Sequence, residues 1–237
     1  MNLILFDNPS ETQTLPRSDL RAQHILKVLK CQVGDSFHAG IINGASGRGI
    51  LSAIHNNELA FQFSWTDAQQ PVDDIHVIIG LPRPQTARKI LNTLSTLGAS
   101  TLHFVQTDKS DRNYTNSKLW STDEWLRHLI DGAQQAFTTN IPTVHWDSSL
   151  YKTIKTLDSE FTKIALDNDE GQKALSQTNI TLPLVIAIGP EQGWANRDRE
   201  LLNRHGFQRT HLGQRILRVE TACISALSII KSKLGHM

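Results

Sequence analysis

The chain has 237 residues, with 24 lysines and arginines against 23 aspartates and glutamates, a net charge of +1 and 39% hydrophobic residues. That is enough for one large or two modest globular domains, and too balanced a charge to advertise a nucleic-acid partner by itself. No apolar run nears the roughly 20 residues that cross a bilayer, the start is not that of a signal peptide, and Cys31 and Cys223 have no disulfide or CxxC spacing, so a reduced cytoplasm, no membrane and two buried core cysteines are expected.

The first 70 residues read as short strands with one helix. Leu3–Phe6 is a strand candidate. Ser18 is placed to cap a helix from Asp19 to about Lys30, with Leu20, Ile25, Val28 and Leu29 on one face. Strands are expected at Ser36–Ile42, Gly49–His55 and Leu59–Trp65, with Asn43-Gly44 and Ser46-Gly47 as turns. Many short strands with glycine turns suggest a small barrel. Gln69-Gln70-Pro71, followed by Asp73-Asp74, reads as a linker.

Beyond it strands and helices alternate, the pattern of a mostly parallel α/β domain. The predicted order begins with a strand at Ile75–Ile79, a helix at Thr86–Leu97 ended by Gly98, a strand at Leu102–Val105 and a helix from Ser121 to about Ala136. Strands follow at Thr143–Trp146, Lys163–Leu166 and Leu184–Ile188. Asn196 caps a helix to His205 that Gly206 ends, Phe207–Leu212 is a weaker strand, and Val219 to Leu234 forms a last helix with Gly235 as terminator.

Two segments near the end are chemically unusual: Ile188-Gly189-Pro190-Glu191-Gln192-Gly193, and the run from Leu212-Gly213-Gln214-Arg215 through Ile216-Leu217-Arg218-Val219-Glu220-Thr221-Ala222. Each follows a strand candidate. Ligands in open α/β sheets bind outside the carboxyl ends of strands, so two such loops point to one pocket. The first loop offers backbone groups and few side chains, which suits an adenine edge or a ribose. Neither loop is a dinucleotide fingerprint or a Walker A sequence, which argues against a nicotinamide or nucleoside-triphosphate enzyme. Scattered histidines without HExxH or a Cys/His cluster give no reason to expect a metal, and no GxSxG is present.

These loops resemble those of the RsmE-type branch of the SPOUT superfamily, RNA methyltransferases with a C-terminal trefoil knot. The first matches IGPEGG except at Gln192, and the second matches LGxRILRxETA without a break. His24 to Lys30 followed by Gly34-Asp35 is similar to the family's H-x-x-x-V-L-R…G-D. The resemblance implies an α/β protein with a PUA-like RNA-binding β-barrel over residues 1–70 and a knotted SPOUT methyltransferase domain over residues 71–237. It implies S-adenosylmethionine as cofactor, held by Ile188, Gly189, Pro190, Gly193, Leu212, Gly213, Ile216 and Leu217, with Leu166 and Asp167 closing a third side. It also implies methylation of uridine N3 in small-subunit ribosomal RNA by a homodimer, with Ile224, Leu227, Ile230 and Leu234 available at the interface or in the monomer core.

For that reaction the N3 proton must leave as the methyl group arrives. A guanidinium at Arg218 would stabilise charge on the uracil oxygens, and Glu220 would orient the base, with Glu191 nearby in the first loop. The plain alternative is that Glu220 and Arg218 simply pair at a helix start. RNA contacts are expected from Arg17, Arg21, His24, Lys27, Lys30, Arg83, Arg88, Lys89 and Arg112, and Trp194 is the tryptophan placed to stack on a base.

The chain departs from the family in its middle. Thr96-Leu97-Gly98 stands for E-L-G, Gln134-Gln135-Ala136-Phe137-Thr138 for E-Q-x-x-R, and Asp111-Arg112-Asn113 for E-R-S. Gln192 would strain its loop if the backbone there needs φ > 0. Methylation of another RNA position, and a non-catalytic RNA-binding or ribosome-assembly module, therefore stay open as alternatives.

Overall fold

The computed structural model describes residues 3–67 and 71–237, so Gln69 and Gln70 of the expected linker lie outside the described residues. The chain divides into two units, Met1–Pro71 with Ala133–Ile141, and Val72–Gly132 with Pro142–Met237.

The first unit is built on strands β1 (Leu3–Phe6), β2 (Thr12–Pro16), β3 (Ser36–Ile41), β4 (Ser46–Ile54) and β5 (Glu58–Asp67), with helix α1 (Leu20–Lys27) between β2 and β3. The five-stranded sheet has the order β1-β3-β4-β5-β2, antiparallel except for the β1–β3 pair. Phe6, Phe37, Phe61 and Phe63 turn inward into one aromatic core, the Phe6 and Phe63 rings meeting edge-on at 4.7 Å. Burial of such rings is the main apolar stabilisation of a unit this small.

Several local expectations change here. Asp19, not Ser18, caps α1, its carboxylate accepting from the Arg21 N–H. Ala22 and Ile25 face the core, while Leu20 and Val28 are exposed. Ser46-Gly47 opens β4 and is no turn, because Asn43, at φ +53°, already reverses the chain. Cys31 is only half-buried against the core, whereas Cys223 is buried.

The second unit winds a seven-stranded, wholly parallel sheet. Its elements are β6 (Ile75–Gly80), α2 (Pro84–Thr96), β7 (Thr101–Gln106), α3 (Lys118–Ser121), α4 (Glu124–Gln135), β8 (Thr143–Ser149), α5 (Leu150–Lys155), β9 (Thr162–Leu166), β10 (Lys173–Ala174), β11 (Leu184–Ile188), α6 (Asn196–Arg204), β12 (Gln208–His211) and α7 (Val219–Leu234). The last residues of α4 count with the first unit. The strand order is β10-β12-β9-β11-β6-β7-β8, and every residue of the central β11 is buried, as a strand covered on both faces requires.

The expected long helix from Ser121 breaks at Thr122, whose extended backbone ends α3 and whose hydroxyl accepts from the Glu124 N–H to start α4. Asn196 begins α6 inside the helix, where the Asp198 carboxylate accepts from the Ala195 N–H. On α7, Leu227 and Ile230 are buried in their own unit, so of the expected interface face only Ile224 is exposed and Leu234 half-buried.

Candidate functional site

The chain runs from β6 through β7 to β8 on one side of the sheet, then crosses to β9 on the far side of β11. Such reversals open a crevice at the carboxyl ends of the strands. Here the segments that follow β6, β9, β11 and β12 surround a cleft of about 750 Å³. All the residues expected to hold a cofactor line it except Gly213. Arg218, Glu220, Glu191, Arg83 and Lys89 line it as well.

The first loop is a tight turn seated on β6. The Gly193 N–H donates to the Pro190 carbonyl at 2.8 Å. Gly193, at φ +67°, takes the left-handed position, and Gln192 is not among the residues with positive φ, so the glutamine brings no backbone strain. Pro190 lies against Gly80, where a Cβ would come within 2.4 Å of the proline Cδ. Glu191 accepts from the Arg83 backbone N–H at 3.0 Å, and the Lys109 ammonium donates to the Gln192 carbonyl at 3.1 Å.

The third side is a buried ion pair. Both Asp167 oxygens accept from Arg199, at 2.7 and 3.2 Å, and Asp167 Oδ1 also accepts from the Asp169 and Glu170 N–H groups. Its carboxylate is thus engaged by its own turn and by Arg199. Trp194 is only 2% exposed and its indole N–H donates to the Leu166 carbonyl at 2.8 Å. It is a wall of this strand end, not a free surface for stacking a base.

The second loop is tethered to the third side by Asn168, which donates to the Arg215 carbonyl at 3.2 Å. Gly213 shapes this loop from outside the cleft lining, at φ +111°. Ile216 is 90% exposed at the lip. Arg218 is exposed at the start of α7, and Glu220 in the first turn accepts from Lys89 at 3.1 Å. Burial pushes the Glu220 carboxyl up, but its own backbone N–H, Lys89 and Arg218 outweigh this and hold it below the ordinary value. It is an ionised partner, not a base awaiting a proton.

The expected RNA contacts divide. Arg17, Lys27, Lys30 and Arg112 are exposed, and His24 is half-buried. Arg83 and Lys89 belong to the cleft. Arg21 is bound by Asp19 and Asp7 above the Phe6 ring, and Arg88 by both oxygens of Glu124, so these guanidiniums are engaged within the fold. Thr86, Asn168, Asp169 and Arg199 were not foreseen as part of the site. Asn168-Asp169, two turn formers after a buried strand, carried a readable signal; Arg199 had none, its partner being 32 residues away. Among the described residues no group of three His, Cys, Asp or Glu could hold a metal ion, and no helix is long and apolar enough to cross a membrane.

A family model described as an RNA methyltransferase domain matches residues 68–231. The chain is 33% identical to the ribosomal RNA small subunit methyltransferase E of Treponema pallidum, over 97% of this chain and 90% of that one. It is 28% identical to the ribosomal RNA small subunit methyltransferase E 1 of Borreliella burgdorferi over the full length of both. In fold it is similar to a probable rRNA-methyltransferase from Porphyromonas gingivalis, with a TM-score of 0.85 at 21% identity, covering 99% of each chain. The ribosomal RNA small subunit methyltransferase E from Neisseria gonorrhoeae, bound to S-adenosyl methionine, gives 0.80 at 21% identity, covering 98% of this chain and 97% of that one.

Proposed function

The chain belongs to the RNA methyltransferase domain family, and from that premise we propose that it is an S-adenosylmethionine-dependent enzyme making 3-methyluridine in small-subunit ribosomal RNA. The observation that carries this reading is the convergence of the Gly189–Gly193 and Leu212–Leu217 loops on one cleft.

The cleft suits the cofactor. Its volume lies within the roughly 300–1,000 Å³ usual for small-ligand sites. Leu166, Ile188, Leu212 and Leu217 offer apolar walls for an adenine, and the Gly189–Gly193 backbone offers close approach to a polar edge. When bound, the cofactor supplies an electrophilic methyl group. The chain's own residues do the rest. Arg218 presents a guanidinium to the charge that develops on the uracil oxygens. Glu220, held ionised, pairs with Lys89 and fixes it at the cleft. Glu191 clamps its loop onto the Arg83 backbone, and Asp167 with Arg199 holds the third side.

The same reading extends to the finer architecture. The β-rich first unit, to which Ala133–Ile141 also belongs, is the PUA-like RNA-binding barrel and the second the SPOUT domain. The second loop and α7, which returns to pack on α2, are the segment that forms the trefoil knot. Two copies assemble in the cytoplasm, meeting at α7 and the Ile216 lip. Exposure of Ile216 and Ile224 favours such a partner surface.

The test is methyl transfer to protein-free small-subunit rRNA and to assembled small subunits, followed by nucleoside analysis. The expected product is 3-methyluridine, with Arg218→Ala lowering kcat about 100-fold or more while cofactor affinity stays within about twofold. Methyl transfer to another nucleotide would reject the uridine assignment. Cofactor binding without transfer to either substrate would favour a non-catalytic module.

A further inference from the structure

Phe137 stands in a place that neither backbone nor core explains. Its φ of +58° is in the left-handed region, where a bulky side chain is strained. It follows the end of α4, where the Phe137 N–H donates to the Gln134 carbonyl at 3.3 Å and the Thr138 N–H to the Ala133 carbonyl at 3.0 Å. Glycine fills such a helix-ending position without steric cost. Among the described residues only Lys30 and Asn43 share this conformation without being glycine. Asn43 is a turn former that tolerates it, and Lys30 is an exposed cation. The Phe137 side chain does not repay its strain by burial, since the residue is 43% exposed.

What it does contact is specific. Its ring meets the His38 imidazole edge-on, with centroids 4.8 Å apart and planes at 74°. His38 on β3 pairs in register with Arg48 on β4, whose side chain is exposed. Burial and then the Arg48 charge lower the His38 pKa, which favours a neutral, ring-packing imidazole. The result is an aromatic ring, part of it open to solvent, supported by a second ring that has the Arg48 guanidinium on its neighbouring strand.

We propose that Phe137, backed by His38 and flanked by Arg48, is a stacking platform for an unpaired nucleobase of the substrate RNA. A base stacks on an exposed aromatic whatever its identity, and the neighbouring cation suits the adjoining phosphate. A single ring beside a charge fits this better than a protein partner, which would call for a contiguous apolar patch. The inference rests on the RNA-methyltransferase reading and adds a contact that holds the strand.

The full-length chain and its Phe137→Gly, Phe137→Leu and Phe137→Trp variants are compared by thermal unfolding and by filter binding to protein-free small-subunit rRNA and to assembled small subunits. Phe137→Gly should raise Tm by about 2–4 °C, because the strain is relieved. It should also weaken rRNA binding by roughly 5- to 100-fold, the worth of one base–aromatic stack. Phe137→Leu should stay weak, and Phe137→Trp should restore affinity with its fluorescence quenched on the RNA. Four results would overturn the proposal: unchanged affinity in Phe137→Gly, affinity restored by Phe137→Leu, a loss seen only with assembled subunits, which would mean a protein contact, or no rRNA binding by the wild type. Methyl transfer by the wild type reads the underlying function separately; intact transfer with an RNA KM unmoved by Phe137→Gly rejects the platform alone.

Discussion

Glu220 shows how one carboxylate is kept from acting as a base. Its folded pKa lies below the unfolded one, so the stability it contributes is present above about pH 4.3 and is lost as pH falls through the folded value. The stability difference between wild type and Glu220→Gln should therefore be constant from about pH 8 to 5 and shrink towards pH 3 in urea titrations. A difference that grows on acidification would mean that Glu220 is held protonated. Asp167 and Arg199 make a different case, with side chains 3% and 13% exposed. Arg199→Met strands a buried carboxylate and should lower the unfolding free energy by about 3 kcal/mol, measured by urea denaturation. A change below about 0.5 kcal/mol would place the pair among surface bridges.

Among elements, β6 and β11 carry the first loop, and two glycines test how. Gly80→Ala drives a Cβ to within 2.6 Å of the Pro190 nitrogen and should unseat the loop, weakening cofactor binding at least about tenfold. Gly193→Ala meets nothing within 4 Å and carries only the strain of φ +67°, about 1 kcal/mol. Calorimetry on both variants separates close packing from backbone conformation; equal losses would contradict the distinction.

Three neighbouring strands, β6, β7 and β8, also bring His76, His103 and His145 together, with Asp74 bound to His76. Burial, then the neighbouring His76 and His145, push the His103 pKa down to about 3. The unfolded chain takes this proton near pH 6.5, so stability falls below that pH by up to about 1.4 kcal/mol per unit until the folded value is reached. His103→Gln should flatten the decline between about pH 6 and 4, and an unchanged slope would exclude His103 as its source.

These elements differ in how readable they were. Leu3–Phe6 and Leu184–Ile188 are apolar throughout because all their residues are buried, and the glycines at 98, 206 and 235 mark helix ends with positive φ. Strand β2 buries only Leu15, and α5 is a six-residue helix, so neither has a periodic pattern. The pocket loops were legible from turn chemistry and family resemblance together. The long-range pairs Asp167–Arg199 and Lys89–Glu220 were not, because no local spacing encodes them.

At the scale of the whole molecule, the proposed dimer depends on little surface from α7, since Leu227 and Ile230 are already buried in their own unit. The exposed Ile224 and the lip residue Ile216 are the candidates for contact. Sedimentation should give twice the chain mass, reduced to one by Ile216→Glu combined with Ile224→Glu; a wild-type monomer would reject the assembly. Whether the cleft takes S-adenosylmethionine is read by calorimetric titration with that cofactor, beside NADH as control. Saturable binding of S-adenosylmethionine alone, abolished by Gly189→Trp, is the expected result. No binding up to millimolar cofactor, with or without small-subunit rRNA present, would contradict it.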